Sequence, residues 1–236
     1  MNLVLLFQND FIGDTGRVRL KGRRFTHIRD VLKSRVGDRL CVGIAGGNIG
    51  NGLITLLDDD VLEMEVTAEC APPQALPVTL ILALPRPKVL RRVILSVVTM
   101  GVKRIVLINA YRVEKSYWKS PFLEKVEMDK KIILGLEQAR DTGLPEIMMR
   151  PLFKPFIEDE LPGIIYGSLS LIAHPGAAEA CPRENKKPVT LAVGPEGGFI
   201  PYEIEKLILC GFTPVHLGCR ILPIETAIPA LLSRFC

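Results

Sequence analysis

The sequence predicts an α/β protein: a small, mostly β domain at the N-terminus, then a larger domain built on a mostly parallel sheet. Three observations carry this. Residues 3–67 are short alternating or apolar runs separated by turn residues. The stretch Ala71-Pro-Pro-Gln-Ala-Leu-Pro77 suits neither helix nor sheet. Beyond it strands alternate with helices, the grammar of a parallel sheet. A chain of 236 residues can bury a substantial core and fits one large domain or two modest ones. The proline-rich stretch places the boundary between 1–72 and 73–236.

The elements follow in order. Residues 3–7 and 16–21 run apolar or alternate as strands do, and Phe25, Ile28, Val31 and Leu32 fall at helical spacing. Val36-Gly-Asp-Arg39 turns the chain into Leu40-Cys-Val-Gly43. Gly46-Gly-Asn48 punctuates a hairpin before Leu53–Leu57, and alternation makes Val61–Thr67 another strand. Short strands with one helix predict a partly closed barrel. In the second domain, strands are expected at 78–84, 104–108, 169–173, 190–193 and 214–217. Helices are expected at 89–100, 121–142, 201–211 and 226–235.

Two of these strands stop abruptly at glycine. Leu191-Ala-Val-Gly-Pro-Glu-Gly-Gly-Phe199 and Val215-His-Leu-Gly-Cys-Arg-Ile-Leu222 each read as a buried strand delivering the chain to a tight loop. In open α/β sheets ligands bind at that edge. A βα turn that needs glycine only for its geometry is the plainer alternative for either loop alone.

Composition narrows the function classes. Hydrophobic residues make up 48% and charged residues 24%, the balance of an ordered globular chain. Met-Asn-Leu-Val-Leu-Leu-Phe-Gln8 is too short for a signal peptide or membrane span and has no basic start, so a cytoplasmic protein with no membrane partner is expected. Six cysteines (41, 70, 181, 210, 219, 236) and three histidines (27, 174, 216) show no metal-ligand spacing, and no metal is expected. The net charge is only +4, but basic residues including Arg17, Arg19, Arg23, Arg24 and Arg29 crowd one segment. Such a face attracts phosphates without sequence preference; a solvated surface of mixed charge is the alternative.

The ordered set GPEGGF, EI, GF, LGxRIL and ETA, running through residues 189–232, closely resembles the C-terminal signature of the RsmE family, the 16S ribosomal RNA uridine-N3 methyltransferases of the SPOUT class. The resemblance implies a PUA-like RNA-binding domain over 1–72, with His27-Ile-Arg-Asp-Val-Leu-Lys33 standing where the family carries "H-L-x-x-V-L-R". It implies a trefoil-knotted domain over 73–236, with the knot near 170–236. S-adenosylmethionine is the implied cofactor, ribosomal RNA or the small subunit the partner, and a homodimer the assembly. Arg17, Arg19, Arg23, Arg24 and Arg29 become the expected RNA-binding set. The cofactor loops would comprise His174, then Gly194, Pro195, Glu196, Gly197 and Gly198, then Leu217, Gly218, Ile221, Leu222, Thr226 and Ala227. Ile221 and Leu222 suit an adenine face or plain core, and His174 suits a pocket wall or a structural strand end.

Uridine N3 carries a proton at neutral pH and is normally paired, so its methylation calls for a carboxylate to take the proton and a guanidinium to stabilise the charge left behind. Arg220 and Glu225 are the expected catalytic pair, with Glu196 as a substitute base. Arg220 closing the knot and Glu225 favouring a helix N-terminus are their structural alternatives. Glu137-Gln-Ala-Arg-Asp141 ahead of Leu144-Pro145 resembles the family's "EQSxR…VP", with Arg140 one position early, and reads as a polar cluster at an interface such as that of the dimer. Two departures stand out. Arg91, Leu95, Ser96 and Thr99 replace Glu, Gln, Lys and Glu of the family's helix. Pro223-Ile224 replaces the Arg-Thr of "I-L-R-T-E-T-A". The adenine-facing half of the motif is better kept than the acceptor half. A non-catalytic RNA-binding or ribosome-assembly protein of the same fold is the alternative function.

Overall fold

The computed structural model describes residues 2–183 and 187–236. The chain forms two compact units, 1–74 with 133–144, and 75–132 with 145–236. The return of 133–144 to the first unit is a long-range feature with no signal in local composition.

The first unit is a curled, open five-stranded sheet, the partly closed barrel the sequence predicts. Its strands are β1 (Val4–Leu6), β2 (Arg17–Leu20), β3 (Arg39–Ile44), β4 (Ile49–Leu57) and β5 (Leu62–Cys70), in the order β1-β3-β4-β5-β2. Only β1 and β3 run parallel. Alternation sets each face: in β2, Val18 and Leu20 are fully buried while Arg17 and Arg19 face outward. Val18 and Leu20 join Val4, Leu6, Ile28 and Met64 in the core, each such side chain contributing about 1.5–3 kcal/mol of burial. Helix α1 (Gly22–Thr26) widens directly into a π turn, His27–Val31. Phe25 and Ile28 are buried as their spacing predicts, but Val31 is 63% and Leu32 41% exposed. The wider turn rotates the last two off the apolar face, a change no 3.6-residue pattern anticipates.

The second unit is a seven-stranded sheet in which every pairing is parallel. It contains β6 (Leu76–Ala83), α2 (Pro87–Thr99), β7 (Val102–Ile108), the start of α3 (Lys125–Ala139), β8 (Glu146–Arg150), α4 (Phe153–Pro155), α5 (Leu161–Ile165), β9 (Leu169–Ala173), β10 (Glu179–Ala180), β11 (Val189–Val193), α6 (Pro201–Leu209), β12 (Thr213–His216) and α7 (Ile224–Leu232). The strand order is β10-β12-β9-β11-β6-β7-β8. All five residues of β11 are buried, as expected for a central strand covered on both faces. The sequence pattern misses β8, β10 and the helical turns between 153 and 165. Glu146-Ile-Met-Met-Arg150 lacks β-branched repetition and occupies a sheet edge, where pairing rather than side-chain pattern makes the strand. Among the described residues no helix is long and apolar enough to cross a membrane.

Candidate active site

Register brings three strand ends level. Ala173 of β9 pairs with Val193 of β11 on one side and Val215 of β12 on the other. The chain leaves all three strands in the same direction, so the loops beginning at His174, Gly194 and Leu217 emerge side by side. Going from β11 to β12 the chain passes beyond β9, the kind of order reversal that opens a crevice at the carboxyl ends of strands.

Those loops enclose a cavity of about 620 Å3, within the usual range for a small-molecule site. His174 lines it from the first loop, and Gly194, Pro195, Glu196, Gly197 and Gly198 line it from the second. From the third loop and the start of α7 come Leu217, Gly218, Ile221, Leu222 and Ala227. Thr226 is exposed and does not line the cavity, since its side of the first turn of α7 faces away. Ile221 is 81% exposed at the rim, so it is not core. Two glycines are required by geometry. A Cβ on Gly194 would sit 2.8 Å from the Phe199 nitrogen, and Gly198 has φ +71.

The glycine loop is braced from several directions. Glu203, only 3% exposed, accepts from Tyr111 N–H at 2.6 Å and from Ile200 N–H at 2.9 Å, bridging the turn after β7 to the start of α6. Arg112 lines the cavity and donates to the Gly197 carbonyl oxygen. Glu196 accepts from Arg86 N–H at 3.0 Å, at the start of α2. Arg112 carried no signal in the sequence, and Glu203 appeared there only as the glutamate of the EI step of the resemblance, with no role attached, because both roles come from elements about ninety residues apart.

Both expected catalytic residues reach the cavity. Arg220 is exposed and makes no ion pair with a described residue. Glu225 is bound through Oε1 to Arg92 Nη2 at 2.9 Å, across the packed pair α2 and α7. A second histidine also lines the cavity: His216, beside His174. In each ring Nδ1 accepts from a backbone N–H two residues on, Gly176 at 3.2 Å and Gly218 at 2.9 Å. Each neutral ring therefore keeps its proton on Nε2. The shared pattern His174-Pro-Gly176 and His216-Leu-Gly218 was the available clue.

The five arginines expected to meet RNA are all paired within the first unit. Arg17 and Arg19 clasp Glu63 at 2.7 and 2.6 Å, Arg24 binds Asp10 at 2.6 Å and Arg29 binds Asp30 at 2.6 Å. Arg23 holds the buried Glu137 at 2.9 Å. Glu137 is thus satisfied inside the chain, and Asp141 accepts from Gly143 N–H at 2.8 Å. The exposed Lys21, Lys33, Arg35 and Arg39 make no ion pair with a described residue.

A family model described as RNA methyltransferase domain matches residues 72–235. The ribosomal RNA small subunit methyltransferase E of Treponema pallidum is 28% identical, covering 96% of this chain and 87% of its own length. A protein of the same name from Borreliella burgdorferi is 25% identical, covering 96% and 94%. The Neisseria gonorrhoeae small subunit methyltransferase E, solved bound to S-adenosyl methionine, superposes with a TM-score of 0.76 at 21% identity, covering 99% of this chain and 95% of that one. A putative methyltransferase from Legionella pneumophila, solved with bound SAM, gives 0.75 at 21% identity, covering 99% and 96%. These structures share the fold, and the match to the family model spans well over half of the sequence: the chain belongs to the RNA methyltransferase domain family.

Proposed function

We propose that this protein is an S-adenosylmethionine-dependent methyltransferase acting on N3 of a uridine in 16S ribosomal RNA. The observation that carries the reading is the convergence of three strand-end loops on one cavity that also receives a guanidinium, Arg220, and a carboxylate, Glu225. The cavity fits the cofactor: main-chain groups at Gly194–Gly198 and Gly218 allow close approach, and Leu222 and Phe199 supply apolar surface. When bound, S-adenosylmethionine supplies an electrophilic methyl group and leaves as a neutral thioether.

The chain's own groups handle the acceptor. Glu225 takes the N3 proton through Oε2, the oxygen left free by Arg92, while Arg220 donates to the base oxygen on which charge develops. Glu196 is the substitute base, although its link to Arg86 N–H gives it a bracing role first. A knot near 170–236 and a homodimer belong to the same reading and follow from the resemblance; the domain boundary near 72/73 rests on the proline-rich stretch, and a cytoplasmic setting accords with an activity on ribosomal RNA. For RNA-backbone contact Lys21, Lys33, Arg35 and Arg39, which make no ion pair with a described residue, keep more of their charge available than the five paired arginines.

The test is incubation with labelled S-adenosylmethionine and unmethylated small subunits, followed by nucleoside mass spectrometry. Labelled 3-methyluridine is the expected product, reduced at least about a hundredfold in Arg220→Ala and in Glu225→Gln, the lower end of the range usual for a positioned acid, base or oxyanion donor. Another methylated nucleoside overturns the assigned base. Cofactor and RNA binding without transfer returns the non-catalytic alternative.

A further inference from the structure

The turn after β7 places a second recognition element beside the cavity. Ala110 and Val113 are 3% and 7% exposed, and Val113 N–H donates to Ala110 O at 3.0 Å. Tyr111 and Arg112 therefore occupy the two corner positions of a turn anchored in the core at both ends. Tyr111 is 80% exposed, yet its backbone is held by the buried Glu203 at 2.6 Å. Arg112 reaches the Gly197 carbonyl and lines the cavity, so the glycine loop and this turn are tied together.

An aromatic ring left in solvent on a backbone this constrained is poorly explained by packing, because it contributes little buried area. It is well explained by a planar ligand arriving from outside. We infer that Tyr111 and Arg112 form the seat of the acceptor nucleobase, with the Tyr111 ring stacking on a base extruded from its pair and Arg112 donating to a base carbonyl oxygen. This rests on the RNA methyltransferase reading and names how that site takes its substrate. Extruding a base costs its stacking, and an exposed aromatic ring replaces that interaction without regard to sequence. A guanidinium carries five N–H donors, and the Gly197 contact occupies one of them. The rest remain to donate to a base oxygen from a residue that lines the cavity.

The experiment uses the full chain, unmethylated small subunits as the probe, and three readouts: affinity of the S-adenosylhomocysteine-loaded protein for subunits, methyl transfer under kcat/KM conditions, and cofactor affinity by calorimetry. Tyr111→Ala is expected to lower subunit affinity and kcat/KM about tenfold, the typical worth of one stacked base, with cofactor affinity and melting temperature unchanged. Tyr111→Phe, which keeps the ring, is expected to restore both. Tyr111→Ala within twofold of the unaltered protein, or Phe failing to rescue, overturns the inference. Binding that depends on Tyr111 without any transfer overturns the catalytic reading and keeps the base seat. An unaltered protein that binds no ribosomal RNA overturns both.

Discussion

Removing the Glu203 carboxylate tests whether the candidate site depends on its bracing. This side chain is 3% exposed and accepts two backbone N–H bonds, from Tyr111 at 2.6 Å and Ile200 at 2.9 Å. Hydrogen bonds to a charged group contribute about 1.5–3 kcal/mol each. Tyr111 is exposed and Ile200 half-buried, so water can recover part of that once the carboxylate is gone. Glu203→Ala should therefore cost about 2–4 kcal/mol in total. For a chain of this size that is a fall of about 4–16 °C in melting temperature. Glu203→Gln keeps one carbonyl acceptor but turns an NH2 toward the other N–H, and should recover at most half of the loss. Because the two bonds join the Tyr111 turn to the start of α6, cofactor affinity by calorimetry should fall in parallel with stability. A Glu203→Ala protein that melts within 1 °C of the unaltered chain and binds cofactor equally well would refute the bracing role.

Three further outcomes are expected. The hydrogen bond from Arg19, followed by the nearby charges of Arg19 and Arg17, holds the Glu63 carboxyl below its usual range. Its contribution is present above the unfolded value near pH ~4.3 and is lost as pH falls through the lower folded value. The gap in melting temperature between the unaltered protein and Glu63→Gln, measured from pH 7 downward, should therefore close only in acid. Replacing Lys33, Arg35 and Arg39 with serine should weaken RNA binding and flatten its log–log salt dependence by up to about 2–3, whereas Arg19→Ser should mainly lower stability; binding isotherms at several salt concentrations separate the two. Burial pushes the Cys181 thiol pKa up and leaves less thiolate, so alkylation followed by mass spectrometry should find Cys181 far slower than the exposed Cys70, Cys219 and Cys236. Cofactor should slow Cys219 more than Cys70 or Cys236, because its chain neighbours Gly218 and Arg220 line the cavity although its own side chain does not.

The sequence by itself determined the class of fold and which strand-end loops enclose the cavity. Proline at 72, 73 and 77 marks a change from short strands to βα alternation, and apolar runs ending in glycine at 194 and 218 mark strand ends where the missing side chains leave the backbone open to close approach. These are local properties: periodicity, missing side chains and fixed dihedrals act within a few residues of where they are written. What depended on partners far along the chain was decided by the tertiary structure alone. The charge-rich segment 17–29 reads as an open basic face until Glu63, Glu137, Asp10 and Asp30 are seen to pair with its arginines. Glu225 reads as a free carboxylate until α2 brings Arg92 to it, and Arg112 and Tyr111 carry no pattern until Glu203 and Gly197 fix them at the cavity. A cross-strand pair or a carboxylate bridging two loops depends on coordinates that chain neighbours do not encode, so only packing could assign those residues their roles.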